Sequence, residues 1–301
     1  MSTTAAARVA TLDEGPDAPA IGRLRTLWQA MKRKPLGAIS AALLVLLVLT
    51  AVFADVLAPY DPLATSPEIR LSAPSRAHLF GTDDIGRDVF SRVIHGSRIS
   101  LWVGLLAVGI GTAAGMVVGL LCGYCEGRLD LVMQRIMDAV QAIPGLVLAL
   151  AIVSVLKPST TNAMIAIAIV IIPGNSRIVR GAVLSSKQNR YVEAAQAIGC
   201  RHPRIILSHI LPNVTAPILI IASIWLGNAI LIEATLSFLG LGTQPPTPSW
   251  GLMLSSTGRA FMEQAPWLAI FPGLAISLAV FAFNLFGDTL RDAWDPKLRK
   301  S

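Results

Sequence analysis

Few residues in this 301-residue chain have the types and spacing that reaction chemistry needs. Ser154 and Lys157 show the S-x-x-K spacing of an acylating serine and its base, but the companion motifs are absent and the pair ends an apolar run. Cys122 and Cys125 form a C-x-x-C that could exchange a disulfide or give zinc two thiolates; without a second ligand pair or a thioredoxin-like unit they read as ordinary small residues. Asp84, Asp88 and His95 could offer a cation two carboxylates and an imidazole, yet Arg87 lies among them and helix capping accounts for the carboxylates. The chain has no G-x-x-x-x-G-K-[ST] with which to cradle a nucleotide's phosphates. The expectation is a chain with no catalytic residue, no resident metal and no cofactor of its own.

What remains is a surface for binding. The stretch Glu193–Asn213, EAAQAIGCRHPRIILSHILPN, lies between two apolar segments but carries charge, a glycine and two prolines, so it must fold outside a bilayer. Tyr191, Ala194, Ala195 and Ile198 recur at helical spacing, which predicts a short helix with one small apolar face. Gly199 is placed to end it in the left-handed conformation of a C-cap, and Pro203 suits the first turn of a second helix, Pro203–Leu211. A helix, a glycine elbow and another helix result. Either the alanine-rich face admits another protein's backbone, or the hairpin is a plain surface feature in which alanine and glycine serve only as helix and cap formers.

Glu193, Ala194 and Ala195, with Gly199 six residues past the glutamate and Leu211–Pro212 beyond it, resemble the EAA loop of permease subunits in bacterial ATP-binding-cassette importers. The resemblance implies that this loop, with Arg201 at the elbow, is the coupling element that docks in a groove of a cytoplasmic ATPase. Three further stretches resemble the dipeptide and oligopeptide branch of that family: Gly81, Thr82, Asp83, Asp84, Gly86, Arg87 and Asp88; the segment ATLSFLGLGTQPPTPSWGLML; and GDTLRDAWDPKLR near the end. Together they span roughly residues 24 to 300. The family implies four kinds of partner: a homologous second permease, two ATPase domains that bind ATP and magnesium, a periplasmic or surface-tethered substrate-binding protein, and the lipid of a bacterial cytoplasmic membrane.

The elements that must position the loop follow from composition. With 53% hydrophobic and 14% charged residues the chain is too apolar for a soluble domain, and an all-α integral membrane fold is expected. The net charge of +7 is confined to the segments between apolar runs, which argues against nucleic acid. Residues 1–20 read as a disordered tail, and 21–35 as a basic interfacial helix with Ile21, Leu24, Trp28 and Met31 on one face. Six apolar segments follow near 36–57, 99–121, 136–156, 162–182, 214–236 and 265–286, which predicts a six-span domain over 36–290. A loop over 58–98 and the coupling loop over 183–213 interrupt it, and 291–301 is a tail. Placing both termini and the coupling loop in the cytoplasm puts 18 of the 25 Lys and Arg inside. That side is reducing, so no disulfide is expected.

Within the loop, residues 80–100 read as one amphipathic helix, capped by Thr82, closed by Gly96 and buried through Ile85, Val89 and Val93. Gly111, Gly115 and Gly119 form two small-xxx-small steps for close packing against an unidentified helix. Pro144, Pro173 and Pro272 are sites for kinks, and Trp250 suits an interfacial anchor after Glu233 at a span's outer end. Asp138, Gln141, Asn228, Ser277 and Asn284 are the polar groups expected to face a translocation path, with helix joining as their alternative role. The spans contain no histidine, which favours short peptides over nickel within this branch, although chelated nickel survives the argument. An ion-coupled transporter and a scaffold are the readings from other classes; the scarcity of ionisable groups near midplane argues against the first.

Overall fold

A computed structural model describes residues 35–255 and 260–294, so the expected tail, interfacial helix and most of the terminal segment lie outside the described residues. Among the described residues the regular elements are helices; the β pairing is one isolated bridge, Thr82 to Asp88. We label them α1 (Pro35–Val52), α2 (Val89–Cys125), α3 (Gly127–Gln141), α4 (Gly145–Leu156), α5 (Thr160–Lys187), α6 (Arg190–Ala197), α7 (His202–Phe238), α8 (Trp250–Leu254) and α9 (Trp267–Trp294).

Four of these, α2, α5, α7 and α9, are long and apolar enough to cross a membrane. The expected third span is instead two helices, α3 and α4, bent by 88° between them. Pro144 explains the break: it lacks an N–H and pushes the residue before it out of the helical region. By contrast Pro173 and Pro272 lie inside unbroken helices. Helix α1 has 18 residues, about 27 Å at 1.5 Å per residue, followed by the single turn Ala54–Leu57.

Contacts give each helix a direction. Gly111, Gly115, Gly119 and Gly123 of α2 meet Ala168, Asn175, Val179 and Val183 of α5 in matching order, so the two run parallel. A Cβ at any of the four glycines would come within 2.6–2.8 Å of α5, which identifies the partner of the small-residue stripe. Helix α9 runs antiparallel to α7 (Gly227 on Asn284, Gly287 on Ser223) and to α1 (Gly37 on Thr289). Three ion pairs tie α3 antiparallel to the end of α5: Glu126–Lys187 (2.8 Å), Asp130–Arg180 (2.5 Å) and Asp138–Arg177 (2.6 Å). Ser100 bonds Glu233 and Gly104 meets Ile230, so α2 lies against α7, and Leu120 and Val214, in one cluster at their other ends, make the pair antiparallel. Direction therefore alternates along the chain through α1, α2, α3–α4, α5, α7 and α9.

Buried aliphatic residues of α2, α4, α5 and α7, among them Val103, Val153, Ile167 and Leu236, form the main core. The outer faces stay apolar, with Val45, Leu46, Val117, Leu278 and Phe281 exposed, as a lipid-facing surface requires.

The helix expected from residue 80 begins only at Val89, and Asp88 is its cap, accepting from Ser91 N at 2.8 Å. Gly81 and Gly86 hold φ of +73° and +81°, which no right-handed helix contains, and the Cβ of any other residue at Gly86 would strike the Ser66 carbonyl. Thr82 ties rather than caps: its hydroxyl donates to Ile69 O and accepts from Ser72 N. Ile85 is exposed, and Gly96 lies inside α2 against the Trp250 ring. Trp250 is fully buried rather than interfacial, its indole N–H donating to Val93 O at 2.8 Å.

Candidate functional site

Helix α6 begins after Asn189 and ends in a Schellman turn. Gly199 N donates to Gln196 O (2.9 Å) and Cys200 N to Ala195 O (3.0 Å), with Gly199 at φ +78°. This is the elbow expected from the glycine's position. Of the face expected to meet a partner, Ala195 turns inward instead: with Val192 it is buried against Val179, Val183, Ile205 and Ile210. Ala195 thus serves the bundle, while Tyr191, Glu193, Ala194 and Ile198 are exposed, Ile198 by 80%. A β-branched apolar side chain presented so fully, beside the exposed small side chains of Ala194 and Ala197, makes a knob-and-shelf surface that a protein groove could cover.

After the elbow, exposed Arg201 precedes α7, which does not stop at Leu211 but continues to Phe238. Over Ile205–Ile210 its hydrogen bonds widen to i→i+5, with Leu211 N donating to Ile206 O. Pro212 supplies the reason, since it has no N–H and its ring would clash with an α-helical carbonyl four residues back. Pro212 is exposed on this shaft. The elbow is also bonded to the bundle: Tyr124 Oη lies 2.6 Å from His202 Nδ1, and Lys187 Nζ donates to Tyr124 O at 2.8 Å. Sequence reading missed this knot, for which an aromatic at the end of one apolar run and a histidine past the elbow were the available signals.

The five expected path residues are not gathered at one place. Asp138 pairs with Arg177, and with Arg135 at 4.0 Å; Gln141 is exposed where α3 ends. Asn284 lies against Gly227 between α7 and α9, while Asn228 and Ser277 face outward from those helices. Asp138 thus bridges α3 and α5, and Asn284 lies at the close approach of α7 and α9.

At the far end, Asp83 accepts from Ile85 N (3.1 Å) and Arg87 N (2.9 Å) and pairs with Arg87 Nε at 2.6 Å. Asp88 also accepts from or pairs with His78 Nδ1 at 2.9 Å, and Asp84 stands 4.0 Å from Arg87. The outer motif is thus a self-bonded turn in which Asp83 and Asp88 are occupied by protein groups, while buried Asp84 Oδ1 has no hydrogen-bond partner among the described residues. Glu233, expected at a span's outer end, is wholly buried in α7, receiving Ser237 Oγ at 2.7 Å, Ser100 Oγ at 3.3 Å and Thr243 Oγ1 at 3.4 Å. Its hydroxyl partners are scattered over 143 residues of sequence, so spacing could not reveal them. Cys122 is buried, Cys200 half-buried and Cys125 exposed.

The comparisons with known proteins agree with this geometry. Residues 115–300 match the family described as binding-protein-dependent transport system inner membrane component, and residues 22–74 match the N-terminal TM domain of oligopeptide transport permease C. The dipeptide transport system permease protein DppC of Alkalihalophilus pseudofirmus is 44% identical over 280 residues, covering 93% of this chain and 92% of that one. The glutathione transport system permease protein GsiD of Escherichia coli O6:K15:H31 is 46% identical over 273 residues, 90% of each. A solved structure of the MetNI methionine ABC transporter in an inward-facing conformation shares the fold, with a TM-score of 0.56 at 16% identity, over 68% of this chain and 98% of that one. On these matches the chain belongs to the inner membrane components of binding-protein-dependent transport systems, the permease subunits of ABC importers.

Proposed function

We propose that this permease carries dipeptides or short oligopeptides inward, in a complex with a homologous second permease, two ATPases and an external binding protein, in the cytoplasmic membrane of a bacterium. The observation that carries the proposal is the exposed face of α6, with Glu193, Ala194 and Ile198 presented on a glycine-defined elbow that is itself bonded into the bundle. ATP and magnesium would be held by the partner ATPases. The peptide substrate rests on the relatives named for dipeptide and glutathione transport. The test is ATP-dependent uptake in vesicles holding the complete complex. Accumulation of a labelled dipeptide, with competition by other short peptides, is expected; nickel accumulation that no short peptide competes with or accompanies would overturn the choice of substrate.

The alternating directions support six passes, with α1 and its following turn as the first and the bent α3–α4 pair as the third. Both termini and the α6 elbow then lie in the cytoplasm. Exposed Cys125 and half-buried Cys200 should resist an impermeant maleimide in intact cells and react after permeabilisation, while buried Cys122 stays silent in both. Labelling of Cys125 or Cys200 before permeabilisation would contradict this orientation.

A further inference from the structure

Where the outer turn meets the loop leading into α8, a cavity of about 90 Å³ opens beside exposed Pro245 and Pro246. Arg92 and Arg87 line it together with Asp83. A water needs about 10–15 Å³ on the same measure, so a carboxylate and a few waters fit. Arg92 is only 4% exposed, yet it makes one hydrogen bond to the described residues, from Nη1 to Pro62 O at 3.0 Å. Its nearest carboxylate oxygen, Asp83 Oδ2, stands 3.7 Å from Nε, beyond hydrogen-bond reach, and is already taken by Arg87 at 2.6 Å. Arg87 and Arg92 therefore share Asp83, and the second carboxylate of the cluster, Asp84, stands 4.0 Å from Arg87 rather than within hydrogen-bond reach. Arg92 also lies in the first turn of α2, at the positive end of the helix dipole, where a cation is disfavoured. A guanidinium this buried, with one hydrogen bond to the described residues and no carboxylate within hydrogen-bond reach, is costly unless further acceptors complete it through the cavity.

From this arrangement we infer that the cavity binds the C-terminal carboxylate of a short peptide at Arg92, on the outer side of the permease. Planar, forked donors match a carboxylate's two oxygens, and the size admits little beyond the terminal residue. The peptide as source of the carboxylate rests on the proposed function; the pocket rests on Arg92 and the cavity alone.

The test uses the complex as it purifies, in lipid nanodiscs, and dialanine labelled with ¹³C at its carboxylate. Saturable line broadening of that carbon is expected, with dialanine amide failing to compete and acetate competing. Arg92→Gln should weaken binding about tenfold or more, the loss of roughly one charge-assisted hydrogen bond. Leu252→Phe, which leaves Arg92 in place and fills the cavity wall, should do the same if Arg92→Gln does not assemble. Equal broadening in both variants and the parent overturns the site, as does equal competition by the amide. A complex that binds dialanine in this way but takes up no peptide would instead count against the peptide-import reading and leave the pocket standing.

Discussion

Gly199→Val should leave the permease assembled in the membrane while import falls about tenfold or more and the ATPase subunits copurify less well. Gly199 holds φ +78°, and a Cβ built there meets nothing within 4 Å. Crowding is therefore irrelevant, and the cost is conformational, roughly 1–2 kcal/mol for a left-handed L-residue and more for a β-branched one. The chain escapes that strain by giving up the two Schellman bonds, which turns α6 and carries Glu193 and Ile198 with it. Gly199→Ala should fall between parent and valine, because the same strain acts with less force. Glu193→Lys, which leaves the elbow intact but inverts an exposed charge, should also weaken ATPase retention. External substrate binding should be unchanged in all three. Variants with parental import and parental ATPase retention would contradict the role given to the loop.

A second large effect is expected at the seam between α2 and α5. Gly115→Leu places a side chain where a Cβ already comes within 2.8 Å of Asn175 Cβ and 3.0 Å of Ile172 O. One neighbour is backbone, so the helices must part rather than adjust a rotamer. Overpacking of this kind costs about 1–3 kcal/mol or more. In a membrane, where apolar area gains little by leaving lipid, close approach is most of what holds such a pair. The amount of folded protein recovered in mild detergent should drop about fivefold or more. Gly109→Leu is the matched control, since nothing lies within 4 Å of its Cβ and the new side chain meets lipid. Equal loss in both variants would show that helix composition, not the seam, governs recovery.

The features legible in the sequence were those set by local rules. The apolar runs located the long helices, Gly199 predicted the elbow, and the Gly111–Gly115–Gly119 period marked a packing face before its partner was visible. The errors came where tertiary contacts override local preference. Thr82 looks like a cap because capping is a short-range pattern, but Gly81 and Gly86 adopt positive φ to pass the Ser66 and Ser72 carbonyls, and the helix waits for Asp88. Trp250 has the amphipathic ring of an interfacial anchor, and only the hydrogen bond to Val93 O, 157 residues away, makes it a core residue. Ala195 belongs to the three-residue signature yet packs inward, because a helix with Val192 on its inner side must also bury the position three residues on. Asp138 shows a related effect: polarity in a span marks a need for a partner, and Arg177 of another helix of the same chain meets it.

The shell around Glu233 bears on how the chain is made. Ser100 is synthesised long before the carboxylate and Thr243 ten residues after it. During translation α7 therefore emerges bearing an acid whose hydroxyl partners are incomplete, a poor candidate for release into lipid as a lone helix. It gains its full set only when the segment beyond Phe238 has folded back and α2 is alongside.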